Sequence, residues 1–303
     1  MTNFLLHLLL IFGLAPLLPG VIARTKAVIA GRKGQPLTQL YRDLWKLFRK
    51  DLVLSRTTTW IFRAGPLIGF AVPVLGALLL PFGPAAAPLS FTGDFVLYVY
   101  LFGLARFFTI LAALDTGSSF EGMGAAREAT FSILVEPTIF VAFIILVRIS
   151  GDFSLNAMFG AVGSGKLLQS PTAFSLILTA FCLFIVLLAE NCRIPFDDPN
   201  THLELTMIHE VMVLDHSGPD FGLILYGTAM KLLLSSAMVV NLLLPVSGNL
   251  LLDLTAFCGA LLLIAVAVGL VESAMARLRL IRVPQLLIGT TLLSFFGLIL
   301  LLR

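Results

Sequence analysis

Five ionisable residues stand where ionisable residues are costly. Arg106, Glu128, Glu136, Glu190 and Lys231 fall within or at the ends of long apolar runs. A charge at bilayer depth costs at least about 2.5–3.5 kcal/mol on insertion scales, so such a group normally faces a bundle interior and has a task. Lys231 is the sharpest case, sitting mid-run with no aqueous end close by. Glu128 and Glu136 are two helical turns apart and lie broadly on one side. Pro137 follows Glu136 directly and predicts a kink that opens the backbone to polar groups. Two chemistries fit: structural ion pairing, such as Arg127 or Arg106 with Glu128, or movement of protons or cations along the carboxylates.

A second concentration lies in Glu190–Asp220. There Glu190, Asp197, Asp198, Glu204, Glu210, Asp215 and Asp220 mingle with His202, His209 and His216, three of the chain's four histidines. Metal binding is the first reading to weigh. His209-Glu210 lacks a second histidine four residues after the first, since Val213 stands there, so this is no zinc-protease helix. His202 and His209 can share a helix face, but spacing supplies no third ligand. No metal site and no catalytic residue is therefore expected. Clustered carboxylates and imidazoles, with pKa values shifted by burial, fit proton or cation movement better. The pathway set is Glu128, Glu136, Glu190, Glu204, Glu210, Asp215 and Lys231. Leu203, Leu205, Met207, Ile208, Val211, Met212 and Leu214 recur at helical spacing and predict an amphipathic helix, whose apolar stripe needs a partner or a neighbouring loop. The docking set is Leu205, Ile208, His202 and His209, with Arg193, Pro195, Phe196 and Asp197.

The elements that position these residues follow from composition. The 303 residues are 58% hydrophobic and only 12% charged, with mean hydropathy +1.01. A soluble domain carries about 25% charged residues, so this chain lacks the charge to keep a surface wet. Apolar runs near Phe4–Ile22, Ala64–Leu80, Phe95–Leu114, Thr130–Ile149, Pro171–Ala189, Phe221–Leu244, Leu250–Val271 and Pro284–Leu302 predict about eight transmembrane helices. The runs are continuous, not alternating, which argues against a barrel. The expected architecture is one all-α polytopic membrane domain over 1–303, in contact with lipid on its outer face. Cys182, Cys192 and Cys258 have no C-x-x-C spacing and read as apolar packers.

Basic residues sort by side. The first loop, 23–63, holds Arg24, Lys26, Arg32, Lys33, Arg42, Lys46, Arg49, Lys50, Arg56 and Arg63, half of the 20 lysines and arginines. Arg127, Arg193, Arg277, Arg279 and Arg282 fall on the same side, whereas the opposite loops offer only Lys166, with Arg148 near a helix end. The positive-inside rule makes the first set cytoplasmic and puts both termini outside. The first apolar run has no basic residues before it, and its positive cluster follows instead, which marks an uncleaved span. Within the loop, Leu37–Phe48 reads as an amphipathic helix, with Leu37, Leu40, Tyr41, Leu44, Leu47 and Phe48 on one face and Arg42, Lys46, Arg49 and Lys50 on the other.

The segment E-N-x-R-x-P-F-D (Glu190, Asn191, Arg193, Pro195, Phe196, Asp197) resembles the signature of the membrane subunit of respiratory complex I that joins its membrane and peripheral arms. Leu114-Asp115-Thr116-Gly117-Ser118, Gly124-Ala125-Ala126-Arg127-Glu128-Ala129 and Val135-Glu136-Pro137 resemble the formate-hydrogenlyase and hydrogenase-4 branch of that family. So do Tyr41-Arg42-Asp43-Leu44 and Glu272–Arg279. Thr201–Glu210 is similar to energy-converting membrane-bound hydrogenases. The resemblance spans nearly the whole chain. It implies a non-catalytic subunit of an oxidoreductase complex in the inner membrane. The chain would have no redox centre of its own; a nickel-iron centre and iron–sulfur clusters would sit in partner subunits. The implied partners are hydrogenase-like large and small subunits of a peripheral arm and antiporter-like membrane subunits, with no nucleic acid. The implied activity is coupling of redox chemistry to proton or sodium translocation, and Glu128, Glu136, Glu190, Glu204 and Asp215 carry over by motif. Two departures stand out: Asn200, Thr201 and His202 replace an E-x-E start, and Asp215-His216-Ser217-Gly218 replaces E-Y-S-G. Two other readings stay open: a quinone-chamber subunit of a NADH–quinone oxidoreductase, and a stand-alone secondary transporter, although repeated halves and broken midplane helices are not evident.

Overall fold

The computed structural model describes residues 2–163, 172–197 and 207–302. The chain order is α1 (Thr2–Leu14), α2 (Leu17–Ile29), α3 (Gln39–Leu47), α4 (Trp60–Leu79), α5 (Asp94–Asp115), α6 (Ser119–Ser150), α7 (Leu155–Gly163), α8 (Ala173–Glu190), a 3-10 turn (Glu210–Val213), α9 (Gly218–Leu243), α10 (Leu250–Ala274) and α11 (Arg282–Leu302). Among the described residues, eight helices are long and apolar enough to cross a membrane, with α1 and α2 together making the first. The chain is an all-α, multi-pass membrane protein.

Local chemistry sets the boundaries. Thr59 caps α4 by accepting from Ile61 N (3.3 Å), and Asp115 at the end of α5 fixes that cap by accepting from Thr59 N at 2.6 Å. Gly151, at φ 74°, ends α6 with its N–H on Val147 O at 2.8 Å. Only a residue that tolerates a left-handed backbone closes a helix this way without strain. Pro137 lies inside α6, whose 32 residues continue past it. The missing N–H leaves one carbonyl without its helical partner.

The bundle closes through small residues. A Cβ on Gly65 of α4 would sit 2.8 Å from Ala112 Cβ of α5, and one on Gly227 of α9 would sit 2.5 Å from Gly69 O of α4. Without a hydrophobic drive between helices in lipid, such close backbone approach is what brings van der Waals contact. α4 is thus clasped between α5 and α9, which carry Arg106 and Lys231. The amphipathic α3 buries Leu44 and lies against α9, with Leu47 and Phe48 in contact range of Gly222. Its outer face exposes Trp45 with the Arg49 guanidinium 4.2 Å above the ring.

The α4–α9 crossing gives a contrast between two neighbouring glycines, of which only Gly227 points its missing side chain into the contact. Gly227→Ala should lower the thermal stability of the purified protein by about 1–3 kcal/mol through overpacking. Gly69→Ala meets nothing within 4 Å and should be neutral or slightly stabilising, as alanine normally is in a helix. Differential scanning fluorimetry in one detergent reads both; equal destabilisation would mean that the crossing is not close-packed.

Candidate functional site

The buried charges meet. Arg106 of α5 donates through Nη2 to Glu190 Oε1 (2.5 Å) and through Nη1 to Glu136 Oε1 (3.0 Å), while its Nε lies 3.6 Å from Glu128 Oε1. Lys231 of α9 completes the set, its Nζ 2.8 Å from the other oxygen of Glu190. Arg106 and Lys231 each stand twelve residues from the end of their helix farther from the basic first loop, or about 18 Å along the axis. In a hydrocarbon layer about 30 Å thick, the cluster therefore lies roughly two-thirds of the way towards the basic end.

Charge balance explains the arrangement. Glu190 ends α8, where the helix dipole is negative and a carboxylate is disfavoured, and two cations on separate helices compensate it. Arg106, Glu190 and Lys231 form a chain of charge-assisted hydrogen bonds, which are about twice as strong as neutral ones. Three carboxylates face two cations, so the fully ionised cluster carries one net negative charge. Glu136 is the loosest member, with its side chain 43% exposed against 9% for Arg106 and Glu190.

A cavity of about 80 Å³ touches Arg106, Glu128, Glu190 and Lys231 and reaches His209 and His216. It adjoins a larger one of about 450 Å³, which shares Asn191, Cys192, His209, Val213, His216 and Thr228 and extends to Leu40 of α3 and Pro19 of α2. A path lined by polar groups thus leads from the cluster towards the basic end of the bundle. The two imidazoles flank it. His216 stacks on Phe62 with centroids 3.9 Å apart, and burial lowers its pKa to about 4. Burial, then the charge of Lys231, lowers His209 to about 4. Both rings are neutral at pH 7, able to relay a proton but not to hold one.

The segment after Glu190 is held by the chain itself. Asn191 caps α8 (Nδ2 to Leu187 O, 2.9 Å) and Cys192 turns in the left-handed region at φ 49°. Arg193 Nη1 then lies 3.5 Å from Glu272 Oε1, whose other oxygen is 2.8 Å from Lys26 Nζ. Asp197 accepts from Ile208 N (2.8 Å) and pairs with Arg277 Nη2 (2.8 Å), and Leu278 N donates to Pro195 O at 3.0 Å. The loop is stapled to the end of α10 on one side and to α6 on the other, where a Cβ on Gly124 would lie 2.9 Å from Ile208 O.

Several expectations change on this geometry. Glu128, Glu136, Glu190 and Lys231 come together. Asp215 is exposed and only its N–H reaches the site's edge, on Glu121 Oε1 (3.3 Å), while Glu210 lines the larger cavity. His202, Glu204 and Leu205 lie outside the described residues. The amphipathic helix expected after Glu190 is, where described, a bend and a four-residue 3-10 turn. Its apolar residues Met207, Val211 and Met212 are buried against Ala113 of α5 and Ala125 of α6. Ile208, Pro195 and Phe196, expected to meet a partner, are buried inside this chain, and Arg193 and Asp197 are occupied by internal ion pairs. His209 faces the cavities. Sequence reasoning marked Arg106 as a misplaced charge without seeing that it joins three carboxylates. It named Glu272 only within a family motif and gave it no role, although Glu272 closes an apolar run. Among the described residues no group of three or more metal-ligating side chains assembles.

The sequence profile of the NADH dehydrogenase family matches residues 2–302. Formate hydrogenlyase subunit 4 of Escherichia coli (strain K12) is 32% identical over 306 residues, covering 97% of this chain and 97% of that protein. Hydrogenase-4 component C of the same organism is 31% identical over 271 residues, with 87% and 84% covered. A subunit of the NADH-quinone oxidoreductase of Methylococcus capsulatus is 26% identical over 208 residues, with 68% and 63% covered. A chain in the structure of the membrane-bound sulfane sulfur reductase, an archaeal respiratory membrane complex, superposes with TM-score 0.82 and 23% identity, covering 99% of this chain and 100% of that one.

The two depressed imidazoles give a pH dependence of stability. The unfolded chain protonates each near 6.5, the folded chain only near 4. Between those values the unfolded state binds more protons, so stability falls as pH falls through this window, by at most about 1.4 kcal/mol per pH unit per imidazole. Thermal unfolding at pH 7.5, 6, 5 and 4.5 should show a steeper loss in the wild-type chain than in His209→Gln/His216→Gln. Parallel curves would mean that the folded rings are solvated.

Proposed function

From the premise that this chain belongs to the NADH dehydrogenase family, we propose that it is the non-catalytic membrane subunit of an energy-converting, hydrogenase-like redox complex. The observation that carries this reading is the Arg106–Glu190–Lys231 chain, with Glu128 and Glu136 beside it, at the inner end of a cavity that opens towards the basic loops. The full-length likeness to formate hydrogenlyase subunit 4 supports this reading over the alternatives. In it, the chain sits in the cytoplasmic membrane with its basic loops inside and both termini outside. A peripheral arm of hydrogenase-like large and small subunits, holding the nickel-iron centre and iron–sulfur clusters, docks on that side, and antiporter-like membrane subunits lie alongside.

The chain's part in coupling is electrostatic. A unit charge arriving about 10 Å from a carboxylate, at an effective dielectric near 20, changes its energy by about 1.7 kcal/mol, just over one pKa unit. An electron reaching the arm raises proton affinity in the cluster; its departure lowers that affinity again. Because the cluster has one carboxylate in excess of its cations, Glu128 or Glu136 takes up and returns the proton while Arg106 and Lys231 keep Glu190 ionised. Glu210, which lines the larger cavity, supplies the entrance with Asp215 nearby, and the His209 and His216 rings lie along the way. A second reading is favoured by one feature: the 450 Å³ cavity is roomy enough for a quinone headgroup, as a NADH–quinone oxidoreductase subunit would need.

Purification in mild detergent should bring iron–sulfur proteins with this chain; a chain that comes alone would refute the assignment. In vesicles containing the complex, Lys231→Met should keep the arm bound and turning over while redox-driven ion movement falls about tenfold, equivalent to about 1.4 kcal/mol. Undiminished pumping would remove the cluster from the path, and a quinone requirement for turnover would select the second reading.

A further inference from the structure

The first span is longer than the hydrocarbon needs. Asn3–Ile29 contains 27 residues, about 40 Å of helix against about 30 Å of hydrocarbon, so the last turns of α2 stand at headgroup level. There the chain folds back. Ala30 N donates to Lys26 O (3.0 Å), Gly31 N to Val28 O (3.0 Å) and Arg32 N to Ala27 O (2.7 Å). Gly31 and Gly34 adopt φ 67° and 64°, and a Cβ on Gly34 would come 2.4 Å from Ala27 Cβ. The turn brings Lys33 beside Arg24, whose guanidinium donates to Lys33 O.

Charge around this turn is unbalanced. Lys26 is neutralised by Glu272 at 2.8 Å. Arg24, Arg32 and Lys33 make no ion pair among the described residues. Lys26, Ile29, Arg32, Gly34 and Ser273 of α10 line a notch of about 650 Å³ there. Val28 and Ile29, on the same turn, are 65% and 50% exposed. A helix C-terminus attracts a cation for its dipole, but here the last carbonyls already have backbone donors. That need does not account for three cations without an ion pair beside a notch at the edge of an apolar strip.

We propose that this notch binds the headgroup of an anionic phospholipid of the diphosphatidylglycerol class, a use independent of the coupling role proposed above. Two phosphates suit Arg32 on the notch wall and the neighbouring Lys33 and Arg24 through charge-assisted hydrogen bonds, and basic pockets between span ends are suited to such headgroups. The exposed Val28 and Ile29 on the same turn offer an apolar contact that a lipid covers and an acidic loop of a soluble protein would leave uncovered.

Native mass spectrometry of the intact, detergent-purified complex, titrated with diphosphatidylglycerol, reads the site directly. Arg32→Gln/Lys33→Gln should weaken binding about thirtyfold, on the scale expected for two cations at a membrane surface. Lys46→Gln/Lys50→Gln removes the same charge from the same loop and should bind as the wild type does. Phosphatidylcholine and inorganic phosphate should not be retained. Equal weakening in both variants would reduce the effect to diffuse surface charge and overturn the proposal, as would undiminished binding in the first variant. Retention of inorganic phosphate as tightly as the lipid would make this a site for a soluble anion and overturn the lipid assignment.

Discussion

A guanidinium about two-thirds of the way through a bilayer constrains everything packed around it. Arg106 cannot shed its proton and cannot reach water along a short path, so the fold must bring acceptors to it. Those acceptors come from two other spans, α6 and α8, and α9 contributes the lysine that balances the excess. Helices of unrelated sequence position are held in register by this requirement, and the glycine crossings let α4 fit between α5 and α9 without forcing the charges apart. A neutral bundle of the same composition would have no comparable reason to choose one rotation of each helix.

The loop after Glu190 extends the same logic outward. It begins at a cluster member, turns at Cys192, and is then tied down by two further ion-paired sets, Lys26–Glu272–Arg193 and Arg277–Asp197. These pairs fix the floor of the larger cavity and hold His209 beside the path. Breaking one partner of a buried pair costs about 3–5 kcal/mol, so they hold the cavity in place as much as they stabilise the chain.

Much of this was legible in the sequence. Continuous apolar runs placed all eight spans, most ends to within four residues, but missed the first eleven residues of α6 and the last seven of the first span, and misplaced charges singled out all five cluster members. Two things were not legible. The first was which charge is central, because Arg106 looked like one member among five until three carboxylates from two other helices were seen to converge on it. The second was what the apolar residues after Glu190 touch. Met207, Ile208, Val211 and Met212 recur at helical spacing, but a short turn packed into the bundle produces the same pattern as an amphipathic helix seeking a partner. Periodicity reports that a face is buried, not by whom.

The central claim is that Arg106 and Glu190 act as one charge-coupled unit. A double-mutant cycle tests it most directly: unfolding of this subunit within the purified complex, measured for Arg106→Met, Glu190→Gln and the two together. The account expects the pair to be destabilised by less than the sum of the single changes, with a coupling energy of about 1–3 kcal/mol, because the second change removes a charge the first left without its partner. Additive losses would contradict it, and would mean that the two side chains are adjacent without being coupled.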